Sequence, residues 1–278
     1  MNEVQTEAHM LEGIRQRYGT QQLPEVVWNE TIDLLLSHRS VRAYTAEPLP
    51  AGTLEALVAA AQSAATSSNL QAWSVVAVED PARKERLSKL AGNQAHIREC
   101  PLFLVWLADL SRLERIAEQR GLEHTALEYT EMFVLGVIDA ALAAQNAVVA
   151  AESLGLGTVY IGGMRNQPQA VAAELNLPPQ VVAVFGLCVG WPDPERPAAV
   201  KPRLPQSAVL HREGYSLSSE DAAVAAYNQA MGAFYQEQQM KVDGTWAEHS
   251  AKRVAGPQSL SGRHALQEAL RALGFELK

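Results

Sequence analysis

The chain has 278 residues, 47% hydrophobic and 19% charged, enough apolar material for one large domain or two modest ones. Its 31 acidic against 23 basic residues leave a net charge of −8, which disfavours a general nucleic-acid binder. Its two cysteines lie in apolar runs and form no C-x-x-C pair, so neither a metal site nor a disulfide framework is expected.

Residues 1–29 read as an appended segment. Met10, Leu11, Ile14 and Tyr18 recur at roughly helical spacing until Gly19 and Pro24 break the pattern. Glu3, Glu7 and Glu12 leave no apolar stretch for a signal peptide, and no run approaches the ~20 apolar residues of a membrane span, so a soluble cytoplasmic chain is expected. Ile32 to Ser37 predicts a short helix that delivers His38-Arg39-Ser40-Val41-Arg42 at its C-terminal end. Leu54 to Ala65 is an alanine-rich helix closing in the polar turn Thr66-Ser67-Ser68-Asn69. Ser74 to Val78 reads as a buried strand, Pro81 to Leu90 as a helix and Leu102 to Ala108 as the next strand. Thr125 to Leu154 is the longest helix, apolar around most of its circumference, which suggests a central or subunit-interface position. Thr158 to Ile161 and Val181 to Val189 are strands. Helices follow at about 219–238 and 262–273, around a polar stretch at 239–250. Alternating strands and helices with a helical tail imply an α/β or α+β layered domain.

Several familiar sites are excluded. No P-loop, G-x-S-x-G or H-E-x-x-H occurs, and the G-x-G at Gly155 and Gly157 meets Tyr160 where a third glycine would be needed. Four segments remain. His38 to Arg42 combines two guanidinium groups, an imidazole and a hydroxyl that can grip an anion, although a solvated basic helix end fits as well. Thr66 to Trp73 is a hydroxyl-and-amide turn, which taken alone reads more readily as a plain loop. Gly162-Gly163, after a strand, lets backbone approach a ligand or simply makes a tight turn. Lys201-Pro202-Arg203-Leu204-Pro205 holds two cations on a stiff loop that could also be merely solvated. Local positive charge on an acidic chain points to a small anionic ligand.

In order and spacing, these segments resemble the FMN-dependent nitroreductase superfamily, above all its NADPH-preferring branch of oxygen-insensitive nitroreductases and flavin reductases. The resemblance rests on H-R-S-V-R at 38–42, S-S-N-L-Q at 67–71, the helix end from Ala143 to Gly157, Y-I-G-G-M-R-N at 160–166, F-G-L-C-V-G-W-P at 185–192 and K-P-R-L-P at 201–205. It runs closely from about Ile32 to Tyr215 and more loosely through the tail.

The resemblance implies an α+β fold: a three-layer α/β/α domain with a mixed, mainly antiparallel central sheet, a long dimer-interface helix and a helical C-terminal arm. It implies an extension at 1–29, a cofactor-binding core at 30–215 and a helical C-terminal segment at 216–278. It further implies a homodimer binding FMN at its interface. His38, Arg39, Ser40, Lys201 and Arg203 would take the phosphate, Arg42 the N1/O2 edge of the ring, and Gln94 its pyrimidine part. Thr66, Ser67 and Ser68 would come from the other protomer, Thr66 replacing a frequent serine. Ile161, Gly162 and Gly163 would lie along the ring near N5. Arg165 is a candidate for the NADPH phosphates, and Lys241 to Lys252 for the 2′-phosphate. The implied reaction is ping-pong, NADPH reducing the flavin and a nitroaromatic, quinone, azo compound or free flavin reoxidising it. The alternatives are a flavin reductase supplying reduced FMN to a separate oxygenase, or a non-catalytic FMN-binding module.

Overall fold

The computed structural model describes residues 3–19 and 26–278, and of residues 3–7 the backbone alone. Pro24, expected to break the first helix, lies outside the described residues. In chain order the elements begin with α1 (Glu3–Tyr18), α2 (Glu30–Leu36), α3 (Thr53–Gln62), β1 (Trp73–Val78), α4 (Pro81–Leu90) and α5 (Ala95–Glu99). They continue with β2 (Leu102–Asp109), α6 (Ser111–Gln119), α7 (Thr130–Ser153), β3 (Gly157–Ile161) and α8 (Pro168–Glu174). The last are β4 (Val181–Gly190), α9 (Glu220–Glu237), α10 (Trp246–Arg253) and α11 (Leu266–Ala272). Two compact units result: Met1–Arg39 with Ala198–Ser259, and Ser40–Pro197 with Leu260–Lys278. Each unit is assembled from stretches distant along the chain.

The larger unit is built on a four-stranded sheet of order β1-β2-β4-β3. All three ladders are antiparallel, with a register shift between Trp106 and Leu107. Among the described residues, the parallel component of the expected mixed sheet is confined to an isolated bridge between Ser40 and Thr158. β2 is buried along its whole length. Leu102, Leu104 and Trp106 pack with Leu57 of α3 and the alanine face of α7. The alternate residues Phe103 and Val105 are equally buried and face the other way, toward the side where α8 packs on β4 and α4 on α8. Helices thus cover both faces of the sheet, the three-layer arrangement anticipated above.

α7 buries Leu135, Gly136, Asp139, Ala140, Ala143, Ala144, Ala147, Val148 and Ala151 on one face. Val134, Ile138 and Leu142 form an exposed stripe, 42%, 51% and 45% accessible. By length and composition α7 could cross a membrane, which corrects the expectation that no run was apolar enough; here Ala143, Ala144, Ala147, Val148 and Ala151 are packed against the sheet. Its first turn is anchored by the chain end, where Thr130 N donates to the Lys278 carbonyl at 3.1 Å. Cys100 and Cys188 are free and buried, and burial pushes the Cys188 thiol up.

In the smaller unit, Tyr227, Met231 and Phe234 of α9 form a core with Ala199, Leu204 and Trp246. The polar stretch expected at 239–250 is helical from Trp246, because Thr245 and Glu248 form a reciprocal capping box.

Candidate functional site

His38, Arg39, Lys201 and Arg203 fall in the smaller unit. α2 starts under Asn29, whose side chain accepts from Ile32 N at 2.9 Å, and ends just before His38. The backbone around His38 is then fixed by Arg17, in the last turn of α1 and only 5% exposed. Arg17 Nη2 donates to the carbonyls of Leu36 and His38, each at 2.6 Å, and Nη1 to the Lys201 carbonyl at 3.0 Å. In the opposite direction, Arg203 N donates to the Arg17 carbonyl at 2.8 Å. Tyr227 supports the same loop from α9, its hydroxyl donating to the Pro202 carbonyl at 3.0 Å while burial raises its phenol. Lys201 and Arg203 themselves are exposed. Arg203 Nη1 donates to the Lys201 carbonyl at 3.1 Å, and the groups holding this loop from behind, Arg17 and Tyr227, are buried. Arg39, also exposed, lines a hollow of about 470 Å³ with Arg15, Ala199, Pro202 and Phe234.

The larger unit brings together a second group. Val41 N donates to the Thr158 carbonyl at 2.8 Å, laying Ser40 to Arg42 along the edge strand β3. A Cβ at Gly157 would stand 2.7 Å from the Val41 side chain, so the glycine permits this approach. Arg42 is exposed and lies close enough to His96 for its charge to act there. Burial first, and Arg42 next, lower the His96 pKa and favour the neutral ring. His96 Nε2 is buried without a hydrogen-bond partner among the described residues.

Beyond β3 the two glycines separate in role. Gly163 faces inward: an added Cβ would meet the Ala91 carbonyl oxygen at 2.4 Å and Gln94 Nε2 at 2.8 Å. Gln94 in turn donates to that carbonyl at 2.8 Å. Gly162 is the more open of the pair, an added Cβ there standing 3.5 Å from Arg165 Nη2 and 3.8 Å from Arg263 Nη1. Arg165 is oriented by a hydrogen bond to the Val184 carbonyl, and Arg263 by one to the Leu260 carbonyl at 3.1 Å. Burial first, then the neighbouring Arg263, lower the Arg165 pKa. Two guanidinium groups therefore converge beside Gly162, an arrangement suited to an anion.

Thr66, Ser67 and Ser68 are organised by a residue the sequence reading passed over. Asp139 of α7, 1% exposed, accepts from Thr66 Oγ1 at 2.5 Å, Ser67 N at 3.2 Å and Ala72 N at 3.0 Å. Thr66 Oγ1 also accepts from Gln71 N at 2.9 Å. The loop needs this support, since Ser68, Asn69 and Gln71 have φ of 49°, 55° and 51°. Among the described residues its hydrogen bonds run to Asp139 and Arg112 and within the loop, and none reaches Gln94 or the Gly162–Arg165 turn. Asp139 carried a signal: a carboxylate inside a largely apolar helix needs donors when buried. Arg263 carried none, and Arg17 only its helical spacing.

Comparison with known proteins gives these observations a setting. Residues 35–191 match the nitroreductase family, and residues 201–278 match the nitroreductase family C-terminal domain. An FMN reductase (NADPH) of Bacillus subtilis is 44% identical over 225 residues, covering 79% of this chain and 89% of that protein. An oxygen-insensitive NADPH nitroreductase of Salmonella typhimurium is 40% identical over 222 residues, covering 79% and 88%. The solved NADPH:FMN oxidoreductase of Vibrio harveyi, complexed with NAD+, superposes with a TM-score of 0.80 at 34% identity, over 90% of this chain and all of that one.

Proposed function

The chain belongs to the nitroreductase family, and from that membership we propose that it is an FMN-dependent NADPH oxidoreductase acting on small-molecule oxidants. The observation that carries this reading is the tethering of the His38, Lys201 and Arg203 segments to one buried residue, Arg17. The donor set fits FMN: two permanent cations and an imidazole suit a phosphate, and a glycine turn beside two arginines suits a flat ring with polar edges. When bound, FMN supplies the redox chemistry, drawing a hydride from NADPH and releasing two electrons to the oxidant.

The protein's contribution is binding, orientation and electrostatics. His38, Arg39, Ser40, Lys201 and Arg203 would hold the phosphate. Arg42 would supply a fixed positive charge where the reduced ring carries negative charge. Gln94, able to donate and accept, would read the pyrimidine edge, with Ile161 and Gly162 along the ring and Gly163 fixing their position. Arg165 and Arg263 would attract anionic groups of NADPH or of the oxidant. The segment from Lys241 to Lys252 is the proposed reader of the 2′-phosphate. Nitroaromatics, quinones and azo compounds are the proposed oxidants, and the buried free thiols suit a reducing cytoplasm.

The names of the relatives also support a flavin reductase, so free FMN is the second candidate acceptor. Anaerobic mixing decides the main point. The yellow protein should bleach rapidly with NADPH and more slowly with NADH. A preparation that takes up no FMN, or a bound flavin that NADPH leaves oxidised, would refute the assignment. Turnover with a quinone compared with turnover with free FMN separates the two acceptors.

We further propose a homodimer joined across α7, with Thr66 to Ser68 facing the partner's flavin. The exposed Val134, Ile138 and Leu142 stripe supports it, since such a row is costly to leave in water. Ile138→Arg should shift the protein from dimer to monomer in sedimentation and strip most of its flavin. A dimer that persists with full flavin content would move the interface elsewhere.

A further inference from the structure

α1 lies before residue 35, where the nitroreductase family match begins, yet its last turn supplies the most heavily bonded arginine near the proposed phosphate site. Among the described residues the Arg17 side chain makes four hydrogen bonds, to the carbonyls of Leu36 (two), His38 and Lys201. Its own carbonyl accepts from Arg203 N. A guanidinium presents five donors in a fixed plane, so it can hold several carbonyls in one mutual arrangement that a lysine could not. Burial of the guanidinium makes these bonds matter, because its donors have little water to turn to if a carbonyl moves away.

Among the described residues Arg17 is tied to Leu36, His38, Lys201 and Arg203, and the last three carry the side chains assigned to the phosphate. They come from two stretches far apart in sequence, one after α2 and one before α9. Neither stretch is a regular strand or helix at these positions, so no ladder of its own fixes it. α1 is seated in turn: Gly19, at φ 71°, closes against Ala230 of α9, where an added Cβ would lie 2.8 Å from the Ala230 Cβ.

We infer that Arg17 is a positioning residue for the phosphate site: it fixes the backbone from which His38, Lys201 and Arg203 reach the FMN phosphate. The N-terminal helix therefore acts as a brace for cofactor retention. This rests on the phosphate assignment above, and the test separates the two.

Full-length protein, stripped of flavin, is titrated with FMN and with riboflavin, which lacks the phosphate, while flavin fluorescence is followed. The ratio of the two affinities measures what the phosphate contributes. In Arg17→Met that ratio falls about tenfold or more, the loss expected when charge-assisted hydrogen bonds are misaligned, while riboflavin affinity stays within about twofold. Arg17→Lys retains charge but not the planar fork, so its ratio falls between those of wild type and Arg17→Met. It decides the matter if the methionine variant does not fold. An unchanged ratio, or equal losses for both flavins, overturns the brace and leaves α1 a purely stabilising role. If the wild type shows no preference for FMN over riboflavin, the phosphate assignment itself fails.

Discussion

Asp139→Ala should lower the unfolding free energy by about 2–4 kcal/mol, read as a lower urea midpoint at unchanged slope. The carboxylate is 1% exposed and accepts from Thr66 Oγ1, Ser67 N and Ala72 N. Alanine leaves two backbone donors without their acceptor, and the loss is set by stranded donors more than by missing bonds. The turn that these donors hold contains three non-glycine residues at positive φ, so it has little intrinsic preference for its shape. Protease cleavage near residues 67–71 should accordingly appear in the variant before global unfolding. Asp139→Asn restores one acceptor but turns an NH₂ toward donors, and should recover only part of the loss. A stability change below about 1 kcal/mol would mean that water replaces the carboxylate, and the loop would not depend on α7.

Gly163→Ala should cost about 2–3 kcal/mol and deplete bound flavin, whereas Gly162→Ala should leave the melting temperature nearly unchanged. The contrast follows from what each added methyl meets. At Gly163 it meets a backbone carbonyl oxygen at 2.4 Å, which cannot swing aside as a side chain can. Either the turn after β3 or the 91–94 turn must move, and Gln94, bonded to the same carbonyl, moves with it. At Gly162 the nearest groups are the ends of two arginines at 3.5 and 3.8 Å. A Gly163→Ala protein as stable and as yellow as wild type would show that Gln94 is not positioned by this contact.

The sheet strands and α4 were legible because their apolar runs are bounded by turn residues or by Asp80-Pro81, a cap and a first-turn proline. α6 was missed because polar and charged residues fill six of its nine positions and it lacks the cap and first-turn proline that mark α4, although Leu113 and Ile116 keep helical spacing. α10 was hidden by the polarity of its surroundings, and its capping box was the available sign. The glycine pair after β3 was found, but sequence did not distinguish the member that packs from the member that opens. That distinction depends on Ala91, about 70 residues earlier, and no local pattern contains it. Arg17 was opaque for the same reason: its partners are carbonyls, which every residue has.

The alanines at 140, 143, 144, 147 and 151 in α7 have no accessible surface. Methyl groups therefore set how near this helix lies to the sheet, and the tolerance is about one carbon atom. A larger side chain at any of them would lift α7 and carry Asp139 away from Thr66, Ser67 and Ala72. Substitution there would alter the reach of the 66–71 loop without touching a ligand-facing atom. In the proposed dimer, where this loop faces the partner's flavin, these inert positions would be a hidden adjustment, changing pocket dimensions from behind while every polar residue in it stays the same.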